Sequence, residues 1–179
     1  MSSVVLLPIF IGIVLVGGRF SRDIGPPSTN PNCTTPPMND CGFYANCLES
    51  RYHCGPNGYP IGYGQTFCEK FVENRMLLDA RGQTWMVNTM HCLQTSLVPD
   101  AIDSNATTCP TLKTRAFGTH ARCYVSNGLC SLGILNWEAI VEIVGIKTLF
   151  ASWDALKATA EAAGDCAEFI ALIVAKELF

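Results

Sequence analysis

From Phe67 onward the apolar positions recur at helical spacing. Phe67, Phe71 and Leu78 follow i, i+4, i+11, and Trp85, Thr89, Cys92 and Ser96 share one face of a second helix, with Met86, Met90, Leu93 and Leu97 beside them. Gly82 weakens the start of that helix and Pro99 stops it soon after Val98. Asp100 to Thr108 then reads as a polar connector. Pro110 sits where a helix begins, and Leu112, Ala116, Phe117, His120, Cys123 and Tyr124 form its apolar stripe, closed by Asn127-Gly128. Further on, Asn136 is placed to cap a helix through Val144, Asp154 one through Ala163, and Asp165 one through Leu178. Upstream, Asp40 caps a short helix across Gly42 to Ser50, whereas Cys54 to Gly64 is so rich in Gly and Pro that only a loop is expected. Period-two alternation is scarce and no internal repeat stands out, so the fold class read from the pattern is all-α.

The first forty residues depart from this pattern in two ways. Residues 1–18 carry no charged side chain, and Val4 to Val16 is the length of a signal-peptide core, short of the ~20 apolar residues of a membrane span. Val16, Gly17 and Gly18 supply small positions for cleavage, expected near Gly18; a signal anchor is the rival reading, because Pro8 and the missing basic n-region weaken the match. Residues 19–40 hold Pro26-Pro27 and Pro36-Pro37 among Ser, Thr and Asn, and are expected to be an extended, mobile lead-in until Cys33 ties it down. Residues 41–179 make the helical domain.

Composition adds a compartment. The formal net charge is -3, the same with or without the leading segment, and there is no cluster of Lys and Arg, which excludes nucleic acid and anionic membrane as partners. There are 10 cysteines, an even number, and in an exported chain this reads as a disulfide framework. Ten cysteines allow about 945 pairings, and spacing alone does not choose among them.

Candidate chemistry is sparse. His53, His91 and His120 raise a metal reading, but tight Cys and His ligand spacings are missing, and no metal or cofactor is expected. A Cys–His nucleophile needs an unpaired thiolate, which an even count does not leave. Gly62-Tyr63-Gly64 followed by Cys68 faintly resembles the calcium loop of secreted phospholipases A2, yet Phe67-Cys68-Glu69-Lys70-Phe71 lacks the His-Asp pair that chemistry requires, so no catalytic residue is assigned. Asp100 and Asp103 are weak calcium candidates, outweighed by a solvated connector. Two glycosylation triplets occur, Asn32-Cys33-Thr34 and Asn105-Ala106-Thr107; the second lies in the expected connector, while the first has a cysteine at its centre that a bridge would hinder.

Taken together, the ladder Cys33, Cys41, Cys47, Cys54, Cys68, Cys92, Cys109, Cys123, Cys130 and Cys166 resembles the stanniocalcins, secreted glycoprotein hormones associated with calcium and phosphate balance. Cys41-Gly42-Phe43-Tyr44-Ala45-Asn46-Cys47-Leu48-Glu49 is similar to the family's C-G-x-F-x-C-L-E run, with one extra residue. The interval from Cys68 to Cys92, with Phe71, Asp79 and Gly82, resembles the helix pair around F-D-x-Q-G-K. Cys130-Ser131, Asn136 and Glu138 to Val144 resemble C-S followed by N-P-E-A-I-x-E-V-V. The resemblance covers roughly Cys33 to Cys166 and implies a disulfide-rich helical domain of stanniocalcin type. It also implies the pairs Cys33–Cys47, Cys41–Cys68, Cys54–Cys109, Cys92–Cys123 and Cys130–Cys166.

Four departures qualify what it implies. The Cys54 to Cys68 interval is several residues longer than in the vertebrate hormones, and Arg81 and Gln83 replace the Gln and Lys around the family's glycine. The sequence stops at Phe179 without the eleventh cysteine of the vertebrate covalent homodimer, so a monomer or a non-covalent homodimer is expected; the apolar run Phe169 to Ala175 would support such a dimer or, as the favoured reading, pack inward. Ser104 and Asn105 stand where some members carry a cysteine that captures a pappalysin protease, so a covalent protease complex is not expected. The resemblance implies a secreted hormone that binds an extracellular protein, a receptor or a protease, with calcium or phosphate homeostasis as its physiology. The alternatives are a secreted disulfide-rich effector or hydrolase on a phospholipase-like scaffold, and a non-covalent protease inhibitor.

Overall fold

A computed structural model describes residues 24–103, 108–145, 148 and 166–177. The signal segment 1–18, the helix placed from Asp154 to Ala163, the capping residue Asp165 and the triplet at Asn105 lie outside them. Among the described residues every regular element is helical: α1 (Pro31–Thr34), α2 (Ser50–Tyr52), α3 (Thr66–Glu73), α4 (Ala80–Ser96), α5 (Val98–Ile102), α6 (Cys109–Ser126), α7 (Ile134–Val144) and α8 (Ala167–Glu177). Two π-helical stretches, Tyr44–Glu49 and Tyr59–Gln65, lead into α2 and α3.

The lead-in is held well before Cys33. Gly25 N–H donates to the Arg51 carbonyl (2.6 Å) and Ser28 N–H to the Ala101 carbonyl (3.0 Å), so an extended segment lies against α2 and α5. Asp40 Oδ1 accepts from Gly42 N–H (2.6 Å) and opens the helical run that begins at Gly42, as its position predicts. The expected loop from Cys54 to Gly64 is in part a helix. Pro60 occupies the first turn of the Tyr59–Gln65 stretch, where an N–H is not required, and Gly64 faces the Tyr44 ring so closely that a Cβ would stand 2.4 Å from its Cδ1. Glycine is present here because two π-helical segments pack together, not because the chain must turn.

Helix α4 is capped rather than weak at its start. Asp79 Oδ1 accepts from Gly82 N–H (2.9 Å), and the space a Gly82 side chain would fill holds Asn136: an added Cβ would lie 2.2 Å from Asn136 Oδ1. Asn136 is accordingly not the cap of α7. Gly133 holds that position, and Asn136 sits in the first turn, buried, with its Oδ1 accepting from Asp79 N–H (3.1 Å). Past α4, Pro99 begins a new helix, α5, in its first turn. The expected solvated connector therefore starts with two buried residues, Asp100 and Ala101. Thr108 caps α6, and Gly128 at φ 97 turns the chain after it.

One continuous apolar core runs through the described residues. Leu48, Tyr52, Leu97 and Leu112 fill its N-terminal part, and Trp85 ties α4 to α6 by donating from Nε1 to the Tyr124 carbonyl (3.1 Å). At the other end Trp137 donates to the Leu129 carbonyl (2.8 Å) and meets Phe169 of α8 edge-on, ring centroids 5.6 Å apart. Phe169 is thus packed inward, whereas Val174 on the same helix remains exposed.

Candidate binding surface

The cysteines frame every other feature. The described structure bridges Cys33–Cys47, Cys41–Cys68, Cys54–Cys109, Cys92–Cys123 and Cys130–Cys166, with Cα–Cα distances of 5.5, 5.7, 5.7, 5.7 and 4.5 Å. No free cysteine is left, so no thiolate is available as a nucleophile or metal ligand. Asn32 is exposed in α1, while the cysteine inside its triplet is buried in the bridge to Cys47.

The three histidines are not brought together. His91 places Nε2 3.1 Å from the Pro36 carbonyl, which makes that nitrogen the donor; His53 takes a left-handed backbone (φ 48) at the end of α2. His120 is buried among aromatic rings, stacked between Tyr63 (5.5 Å) and Tyr124 (5.6 Å), with Nε2 3.4 Å from Tyr59 Oη. Burial pushes its pKa down to about 4, so it is a neutral imidazole near pH 7. Burial likewise raises Tyr44, Tyr59 and Tyr124, which stay un-ionised. His120 and Thr89 line a cavity of about 40 Å³, too small for an organic substrate and with no carboxylate among its lining residues to serve the imidazole as partner. Among the described residues no group of three or more His, Cys, Asp and Glu converges as a metal site.

Around the phospholipase-like and calcium candidates the backbone and charges are engaged within the protein. Gly62-Tyr63-Gly64 lies inside the Tyr59–Gln65 helix rather than in an open loop, and the Ile61 carbonyl is taken by Thr66 Oγ1 (2.8 Å). At Asp100 the carboxylate meets Arg115 Nη1 at 2.9 Å, and its backbone carbonyl accepts from Arg51 Nη1 (2.8 Å) and Tyr52 Oη (2.7 Å). Arg51 Nη2 also donates to the Asp103 carbonyl. A guanidinium occupies the position calcium would need. Burial raises the Asp100 pKa, opposed by Arg115 and Arg51.

A surface feature emerges instead beside the Asp79–Asn136 contact. The turn before it, Arg75–Leu77, exposes Met76 (83%) and Leu77, and the first turn of α7 exposes Ile134 and Leu135 (76%). Four large apolar side chains flank a polar clasp that joins their two segments. The clasp is rigidly specified: the Gly82 N–H first, then Asn136, holds the Asp79 carboxyl below the usual range. Sequence periodicity does not find this edge, because Met76 and Leu77 neighbour buried Leu78 and read as part of the core run. Asn136 reads from sequence as the cap of α7, and that assignment hides its place in the clasp. No described helix is long and apolar enough to cross a membrane.

Compared with known families, residues 34–176 match the model described as the Stanniocalcin family, a span that holds nine of the ten cysteines. No curated protein and no solved structure matches the chain.

Proposed function

The chain belongs to the Stanniocalcin family, a family of secreted, hormone-like proteins, and from that premise we propose that it is an extracellular regulatory ligand acting by protein binding without turnover. The observation that carries this reading is the family match across nearly all of the helical domain. It is supported by a bridged frame without a free thiol and by a buried histidine whose cavity admits no organic substrate. Calcium or phosphate homeostasis is the physiology proposed from the family. The partner is an extracellular protein, receptor or protease, and its contact is placed on the Met76, Leu77, Ile134 and Leu135 edge, where apolar side chains stand exposed on two segments fixed to each other.

Several finer statements belong to the same proposal. Residues 1–18 are removed as a signal peptide, and the protein is a monomer or a non-covalent homodimer. Glycan is carried at Asn105 and at Asn32; because Cys33 is buried against Cys47, Asn32 is modified before that bridge closes. The five bridges of the structure are proposed for the secreted protein, and peptide mapping without reduction should recover Cys130 joined to Cys166.

Affinity capture from extracellular fluid, with the retained protein identified and re-tested in purified form, examines the central claim. A stoichiometric complex that L135E abolishes while the disulfide map is unchanged supports it. Hydrolysis of phospholipid or peptide that disappears on substitution of His91 or His120 overturns it.

A further inference from the structure

The charge of this chain is unevenly placed. From Ala80 to Trp137 the only acidic residues are Asp100 and Asp103, and Asp100 is buried against Arg115. Helix α4, 17 residues and about 25 Å long, carries no Asp or Glu at all. Three grooves open along it. The largest of the three, about 520 Å³, lies over the Cys92–Cys123 bridge and is walled by Asn88, His91, Thr95, Ser96, Arg122 and Asn127. A second, about 400 Å³, shares Asn127 and adds Arg81, Thr84 and Trp85; a third, about 350 Å³, shares Thr84 and Asn88 and adds Arg75 and Gln83. Shared walls make them one trough around α4, whose polar lining is amides, hydroxyls and the His91 imidazole, with one guanidinium in each part and no carboxylate among the described residues; Trp85, Val87 and Leu132 add apolar surface outside the large groove.

The polar groups are held in place. Arg122 Nη2 donates to Ser96 Oγ (3.4 Å), whose own proton goes to Cys123 Sγ (3.8 Å), and Asn127 Nδ2 donates to the Cys123 carbonyl (2.7 Å), which leaves the other guanidinium donors and the Asn127 side-chain carbonyl for a ligand. We propose that this trough is a binding site for an acidic oligosaccharide, whose anionic group sits at Arg122 and whose hydroxyls are met by Asn88, Thr95 and Asn127. The composition of the walls selects this ligand class. A densely charged polyanion would need clustered cations, and here they are single and spaced. An acidic peptide would need recesses for its apolar side chains, and no large apolar side chain lines the large groove to form one. A sugar chain presents many neutral hydroxyls and an occasional anion, which is the complement of amides and hydroxyls with an occasional guanidinium. The inference does not depend on the protein-binding edge, which lies around Leu135.

The test is an NMR titration of the full, disulfide-intact chain with a chondroitin sulfate tetrasaccharide, at fixed ionic strength. Saturable shifts at Asn88, Thr95, Ser96, Arg122 and Asn127 are expected. R122Q should weaken binding about tenfold, T95E should abolish it by placing a carboxylate in the groove, and L135E should leave it unchanged. Arg122 and Thr95 are exposed, so neither substitution disturbs the core. Absence of saturation, or R122Q and T95E that bind like the parent, overturns the proposal. So does sodium sulfate that binds as tightly as the tetrasaccharide, which would mean a free-ion site, or a Glu-rich peptide that binds more tightly, which would mean a protein partner.

Discussion

Acid should weaken this protein through His120, and the structure gives the size of the effect. In the unfolded chain the imidazole titrates at its ordinary 6.5, while burial among Tyr59, Tyr63, Phe117 and Tyr124 lowers it to about 4 in the fold. Between those values the unfolded state binds the extra proton, so stability rises with pH and is lost as pH falls from 6.5 toward 4. Integrating that difference gives a loss of about 2 kcal/mol at about pH 5 and about 3 kcal/mol at about pH 3.5, relative to neutral pH. Carboxylates add their own slopes: Asp79, lowered by its contacts with Gly82 and Asn136, also costs stability in acid, whereas Asp100, raised by burial, acts the other way. The His120 contribution is isolated by comparing the parent with H120F, which keeps an aromatic ring and cannot titrate. Urea unfolding followed by far-UV circular dichroism, at steps from neutral pH to about pH 4, reads it directly. The stability gap between the two should close by about 2 kcal/mol on reaching about pH 5, near 1 M in urea midpoint for a typical slope. Parallel curves for parent and variant would refute the reasoning, because they would mean that the imidazole is already protonated, or solvated, in the fold.

Other expectations follow from single contacts. Gly82→Ala, which normally stabilises a helix, should here cost about 1–3 kcal/mol because its Cβ would meet Asn136 Oδ1, and N136A in the same chain should recover part of it in a double-mutant cycle by urea unfolding. Gly64→Ala should be destabilising by a similar amount, about 1–3 kcal/mol, through the Tyr44 ring, seen as a lowered melting temperature. Replacing Cys130 and Cys166 together by Ser opens a bridge of sequence separation 36 and should cost about 4 kcal/mol on the chain-entropy estimate, measured by denaturant titration. L135E, at an exposed position, should change stability by no more than about 0.5 kcal/mol while abolishing capture of the protein partner.

The long helices were legible because their packing is one-sided. Trp85, Met86, Thr89 and Met90 face the core from α4, and Leu112, Ala116, His120 and Cys123 from α6, so period and burial agree. What the sequence hid was set by partners distant in the chain. Gly64 looks like a turn residue until Tyr44 is known to lie against it, and Gly82 looks like a helix breaker until Asn136 fills its missing side chain. Asp100 looks solvated because nothing local announces Arg51, some fifty residues upstream, or Arg115. Of the surface features, the acid-free run from Ala80 to Pro99 is visible in the string of letters, but its grooves depend on how α6 crosses α4. The exposure of Leu135 and Met76 follows from tertiary packing and has no local signature.

The order of the bridges has a consequence for survival among proteases. The loops closed by Cys33–Cys47, Cys41–Cys68, Cys54–Cys109 and Cys92–Cys123 overlap in succession, so each begins before the previous one ends. A single backbone nick anywhere from Cys33 to Cys123 therefore leaves both pieces covalently joined, and a nick inside the Cys130–Cys166 loop does the same. Only the stretch between Cys123 and Cys130 is spanned by no bridge. It contains the Asn127-Gly128 turn, and it is the one place within the bridged region where a single cut would separate the molecule into a large N-terminal piece and a small C-terminal one.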